Sequence, residues 1–143
     1  MKKTFALLMT LSALTYAGSA SACTVRNVTS ENTREIVTQH GGWPISDAKC
    51  DLLNKNNLMI MVTTRATVLA GTSVGWAVVM LTDKNHVISD EERSSTYVNS
   101  AAQPSMDLAN GLAYSALTDA IEGLNFEKAI NELKARQKAG GAR

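Results

Sequence analysis

The sequence predicts an α+β domain in which helices cover an antiparallel sheet in two layers. Residues 58–69 are rich in β-branched residues with one apolar face at a period of two, residues 73–82 are apolar on both faces, and apolar residues recur with helical spacing after Pro104. Consecutive strand-forming segments flanked by helix-forming ones are typical of this class. We therefore expect a β-hairpin or three-stranded meander packed against a long C-terminal amphipathic helix, preceded by a short N-terminal helix.

The first 22 residues have the three parts of a cleavable signal peptide. Lys2 and Lys3 are basic, residues 4–17 are uncharged and mostly apolar, and Ala20-Ser21-Ala22 matches a small-x-small cleavage site. The apolar stretch is shorter than the roughly 20 residues that span a bilayer. The sequence thus predicts export to the bacterial periplasm, with a signal peptide at 1–22, one domain at 23–138 and a flexible basic tail at 139–143.

The two cysteines, Cys23 and Cys50, favour a disulfide, because an even number of cysteines in an exported chain is typical of a bridge. Cys23 would also be the first residue after cleavage, so an outer-membrane lipoprotein anchored through Cys23 is an alternative. Ala20 suits the ordinary signal peptidase better than lipoprotein processing. Lipidation would also leave Cys50 as an odd thiol.

Capping signals place two short elements before the sheet. Thr29 and Ser30 are helix-starting residues and Gly41-Gly42 is a stop, which predicts a helix over residues 29–40. Ser46-Asp47 is expected to begin a second short turn that carries Cys50.

The strand pattern assigns side chains to the two faces of the sheet. In residues 58–69, one face is apolar and the other carries Thr63, Arg65 and Thr67. Ala70-Gly71-Thr72 predicts a hairpin turn into residues 73–82, where both faces are apolar. We expect this second strand to be central and covered on both sides, with Trp76 in the core. A third, polar strand is expected near residues 87–88 or 94–98.

The C-terminal third has the clearest helical periodicity. Its apolar residues form a stripe that repeats at i, i+3, i+4, i+7 and i+8, and the small alanines in this stripe would allow close approach to a sheet. A weaker repeat of Phe126, Ala129, Ile130 and Leu133 follows Asn125, which can cap a final helix. The stripe consists of Ala109, Leu112, Ala113, Ala116, Leu117, Ala120, Ile121 and Leu124.

The charge balance gives no signal for a nucleic-acid partner. The chain has 14 basic and 13 acidic residues, and loss of Lys2 and Lys3 would leave 12 of those 14. Four basic residues fall in the last ten positions, where cations complement the end of a helix. Weak contact of this basic tail with anionic lipid is the alternative. The four are Lys134, Arg136, Lys138 and Arg143.

No pattern in the sequence predicts a catalytic, cofactor-binding or metal-ligating residue. His40 and His86 are expected to be structural or solvent-facing, and a bridge between the cysteines leaves no soft ligands for zinc. The adjacent acids 90–92 are expected in a charged turn and not as a facing pair.

Two residues are candidates for an interface. Trp43 lies in a Gly-Gly-Trp-Pro loop, where it either plugs the core or anchors a partner, and Arg65 stands between two threonines on one strand face. The sequence therefore favours a non-enzymatic periplasmic protein that binds another envelope or secreted protein. A small hydrolase whose site forms only in the fold and the Cys23-anchored lipoprotein accessory are the alternatives.

Overall fold

A four-stranded sheet and four helices make up most of the computed structural model, which describes residues 23–140. The predicted signal peptide and residues 141–143 lie outside the described residues. In chain order the elements are β1 (Asn27–Thr29), α1 (Glu31–Gln39), α2 (Asp47–Lys55), β2 (Met59–Leu69), β3 (Thr72–Thr82), β4 (Ile88–Asn99), α3 (Met106–Gly123) and α4 (Phe126–Gly140).

The sheet has the strand order β1-β2-β3-β4. β2, β3 and β4 form an antiparallel meander, whereas β1 pairs in parallel with residues 60–62 of β2. The β2–β3 hairpin closes through Ala70 and Gly71, whose φ angles of 46° and 80° are both positive. Two consecutive positive φ angles are the signature of the tight hairpin turn that matches strand twist.

All four helices pack on one face of the sheet and share one core. The buried residues of β2 and β3 in this core alternate along each strand, as the two-residue strand period requires. The predicted apolar face of β2 is confirmed by Ile60 and Val62, which are buried. The sheet contributes Ile60, Val62, Ala77, Val79 and Leu81, and each helix adds at least one residue.

α3 makes its closest approach to the sheet at Gly75. A Cβ atom at this position would lie 2.6 Å from the Cα atom of Ala113. The small residues of the predicted stripe permit this approach: Ala109, Ala113 and Ala116 are fully buried. The alanine-rich stripe therefore packs on the sheet, as the periodicity predicts.

Distant residues bind the backbone at both ends of α3. At the N-terminal end, the Ser105 amide donates to Ser73 Oγ at 3.1 Å, and the Ser73 hydroxyl donates to the Ser105 carbonyl at 3.2 Å. At the C-terminal end, Lys49 Nζ donates to the carbonyls of Ile121 and Glu122 at 2.7 and 3.0 Å. Since a helix leaves its terminal backbone groups unpaired, these contacts complete α3.

The helical signals at the N-terminal side are confirmed with small boundary shifts. Ser30 caps α1 and His40 ends it, so the helix begins two residues after the predicted Thr29. Ser46 caps α2, which is a full helix where a turn is expected. Thr29 belongs instead to β1, a three-residue strand that the sequence pattern does not indicate.

Two further expectations need correction. β3 is central, but only its odd-numbered face lies under the helices, and Trp76 is on the opposite, partly exposed face. The physical reason is the approach of α3 at Gly75, which leaves no room for a large side chain on the helix side. At the C-terminus, α4 ends at Gly140, and the flexible tail at 139–143 stays a prediction.

Candidate functional site

The sheet face opposite the helices is the candidate functional site, and we call it the open face. Trp76 lies at its centre, with Arg65 across on β2 and Thr96 across on β4. Directly opposite side chains on paired strands have Cβ atoms about 5 Å apart, so the three form one row. The open face comprises Met61, Thr63, Arg65 and Thr67 of β2, Val74, Trp76, Val78 and Met80 of β3, and Glu92, Ser94, Thr96 and Val98 of β4.

The open face has an apolar middle and a polar margin. The four β3 side chains are partly buried, whereas Thr63, Arg65 and Thr96 on the flanking strands are exposed. Val98, at one corner, is 62% exposed. An antiparallel sheet that faces only water normally carries polar residues on that face, so the apolar stripe on β3 is a departure from that pattern.

The two predicted interface residues lie in different places. Arg65 is exposed on the open face. Trp43 packs against the core on the helix side, as the core-plug alternative predicts. Its loop is fixed to α3, because the Tyr114 hydroxyl donates to the Gly42 carbonyl at 2.9 Å. Trp76, assigned to the core from its strand neighbours, is the aromatic residue that accompanies Arg65.

Cys23 and Cys50 form the predicted disulfide, with their Cα atoms 6.1 Å apart. Cys50 is buried in α2, and Asn54 Nδ2 donates to Cys23 Sγ at 3.2 Å. The bridge fixes the start of the described chain next to α2. Because the cytosol keeps thiols reduced, a structural disulfide indicates an extracytoplasmic protein.

The histidines and the clustered acids have structural contacts. His40 ends α1 and its ring stacks on Tyr114 with centroids 4.8 Å apart, while His86 is exposed in a turn with φ of 60°. The acids 90–92 lie in β4 and not in a turn. Two of them pair with α4: Glu91 with Lys128 at 2.5 Å, and Asp90 with Arg136.

A polar cleft of about 870 Å³ lies where β3 and β4 join. Asp83, 2% exposed, accepts hydrogen bonds there from the amides of Asn85 and Val87 and from the Gln137 side chain, at 2.8 to 3.1 Å. Burial alone would raise the pKa of Asp83, but these three hydrogen bonds outweigh it and the pKa is lowered. The carboxylate therefore fastens the β3–β4 turn to α4.

Within residues 23–140, no three or more His, Cys, Asp and Glu side chains gather in a metal-binding group. In the same part of the chain, no helix has both the length and the apolar character needed to cross a membrane.

Comparisons with known proteins give distant structural likenesses and no sequence match. The sequence matches no protein-family model, and a search of curated proteins finds no match. Among solved structures, a chain described as a putative lipoprotein from Caulobacter crescentus CB15 is 16% identical, with a TM-score of 0.37. The match covers 78% of this chain and 91% of that one.

Proposed function

We propose that this chain is an exported periplasmic protein that binds another envelope or secreted protein through the open face, without catalysing a reaction. The observation that carries the proposal is the row formed by Arg65, Trp76 and Thr96 at the centre of a sheet face that no described helix covers. Tryptophan and arginine are enriched among the residues that contribute most to protein–protein affinity.

The layout of the open face supports binding to a folded protein surface. Protein interfaces have an apolar middle surrounded by a polar rim. Here Val74, Val78 and Met80 extend the apolar surface on both sides of Trp76, and hydroxyl side chains line β2 and β4. Removing these partly exposed apolar groups from water would favour association.

Export is supported by two independent features. The predicted signal peptide at 1–22 has all three expected parts, and the Cys23–Cys50 bridge belongs to an oxidising compartment. The lipoprotein alternative needs the same Cys23 sulfur for a thioether, so lipid and disulfide exclude each other. The hydrolase alternative needs a histidine beside a nucleophile or an acid. Here the His40 ring stacks on Tyr114, and His86 is exposed in a turn.

Site-specific photo-crosslinking in living cells tests the binding face. A photoreactive phenylalanine derivative replaces Thr63, which is exposed on the open face, or Glu127, which is exposed on α4 as a matched control. We expect a discrete adduct with another protein from position 63 and none from position 127. Equal adducts from both positions, or none from position 63, would contradict the proposal.

A second pair of variants tests the central side chain. Trp76→Ala removes the proposed anchor, and Met106→Ala removes an apolar side chain that is 50% exposed but lies at the start of α3. Truncation of a central anchor costs about 2 kcal/mol or more, which corresponds to roughly 30-fold weaker binding. We expect the position-63 adduct to be lost with Trp76→Ala and kept with Met106→Ala.

A further inference from the structure

The outer edge of β4 is half covered by the chain itself. β4 is the last strand of the sheet, so one of its edges has no neighbouring strand among the described residues. α4 covers the first half: Glu132 Oε2 accepts from the Glu91 amide at 2.9 Å, and Arg136 Nη1 donates to the Ile88 carbonyl at 2.7 Å. From residue 92 to residue 98, no described residue bonds the outward backbone groups.

The register identifies these outward groups. The Leu81 amide points toward β4, where it donates to Ser89 Oγ at 3.1 Å, so odd-numbered residues of β3 direct their backbone groups at β4. Their partners on β4, Arg93, Ser95 and Tyr97, therefore bond inward. The residues between them direct N–H and C=O outward: Glu92, Ser94, Thr96 and Val98.

We propose that this edge binds a second copy of the same chain, with the two β4 strands antiparallel about a twofold axis at Ser95. In this register Ser94 lies opposite Thr96 of the second copy, and each such pair can exchange two backbone hydrogen bonds. A twofold axis at Ser95 fits the free part of the edge, because the pairing then ends at residues 92 and 98. Pairing that continued to Glu91 would have to displace Glu132, which accepts from the Glu91 amide.

Charge complementarity favours a second copy as the occupant. The register places Arg93 of one copy opposite Tyr97 of the other. The Tyr97 hydroxyl donates to Asp119 of its own chain, so a carboxylate lies beside the position that Arg93 reaches. Arg93, Asp119 and Glu122 also line a cavity of about 420 Å³ at this edge. The residues nearest the axis are small hydroxyl residues, so no like charges oppose each other there.

The pairing would also cover apolar surface at the edge. Tyr97 is 38% exposed and Val98 is 62% exposed, which is unusual for an edge strand because exposed apolar edges invite pairing. The two open faces would then become one continuous surface on a sheet of twice four strands. The proposed dimer is inferred from the edge of β4 alone, so it does not depend on the proposed function.

Sedimentation velocity on the purified protein, from micromolar to millimolar concentration, tests the dimer. We expect a concentration-dependent shift to twice the monomer mass. Thr96→Pro removes an outward N–H that β3 does not use, and proline is tolerated at such edge positions. This substitution should raise the dissociation constant of the dimer by about 10- to 100-fold, because each copy loses one backbone hydrogen bond across the interface. Thr96→Ala keeps the amide and should leave the dimer intact.

A cysteine at the axis gives a readout that does not depend on proline. In the proposed register Ser95 lies opposite Ser95 of the second copy as a non-hydrogen-bonded pair. The Cα atoms of such a pair are about 4.5 Å apart, which is within disulfide range. Ser95→Cys should form a covalent dimer under mild oxidation, and Thr63→Cys, away from the edge, should not. A wild-type protein that stays monomeric at millimolar concentration, or a dimer that Ser95→Cys does not link, overturns the proposal.

Discussion

Replacing Gly75 with alanine tests the close packing of α3 on the sheet. The added Cβ would lie 2.5 Å from the Leu112 carbonyl carbon and 2.6 Å from the Ala113 Cα. Both are backbone atoms, so no rotamer change relieves the contact and α3 must move outward. Carbon atoms prefer separations of about 3.5–4.0 Å, so the required shift is on the order of 1 Å.

The expected loss of stability is near the upper end of the range for overpacked cores, about 3 kcal/mol. Alanine's better fit to a strand offsets less than about 1 kcal/mol of this. Urea unfolding monitored by circular dichroism gives the free energy of unfolding for each variant. Gly111→Ala is the matched control, because its added Cβ would meet only His40 Cε1 at 3.8 Å.

The two alanine substitutions should have opposite signs. Gly111 lies inside α3, where alanine replaces the poorest ordinary helix former and stabilises the protein by about 0.5–1 kcal/mol. If Gly75→Ala leaves the free energy of unfolding within about 0.5 kcal/mol of wild type, the close approach of α3 at this residue is wrong.

Three further predictions concern the Cys23–Cys50 disulfide, the β2–β3 turn at Ala70 and the stability of the protein at acid pH. Intact mass of the exported protein should be two hydrogens below that of the reduced chain, and Cys50→Ser should lower the free energy of unfolding by about 3–4 kcal/mol, given a sequence separation of 27. An acylated mass at Cys23 would contradict this bridge. Ala70→Asn should stabilise the hairpin by about 0.5–1 kcal/mol in urea unfolding, since asparagine tolerates the positive φ at this position. The lowered pKa of Asp83 means that its contribution is present above its ordinary value near 3.8 and is lost as pH falls through the lower folded value. Asp83→Asn should therefore flatten the acid side of the stability–pH curve, and an unchanged slope would refute that role.

The sequence predicts the elements with long, regular patterns and misses those set by tertiary contacts. The alanine-rich stripe of α3 and the β2–β3 hairpin follow directly from periodicity and turn chemistry. β1 has only three residues, too few for an alternation, and its parallel pairing with β2 depends on chain packing. The sequence predicts a third strand only near residues 87–88 or 94–98, whereas β4 runs from Ile88 to Asn99, because its mostly polar residues give no apolar alternation to follow.

The candidate site could be predicted only in part, because both faces of β3 are apolar. Arg65 marks the open face through the alternation of β2, but no local signal says which face of β3 the helices cover. That choice depends on the close approach of α3 at Gly75, which the glycine and the small residues of the α3 stripe allow together. A glycine opposite an alanine stripe was therefore the available clue that Trp76 faces away from the core.

The completion of α3 by Ser73 and Lys49 bears on how the protein unfolds. A peptide containing only residues 105–124 would lack both sets of partners, so its terminal turns should fray in isolation. In the whole chain, losing either the β3 strand or α2 exposes an end of the same helix. We therefore expect the sheet and helices to melt together in a single cooperative transition, with no separately stable helical fragment.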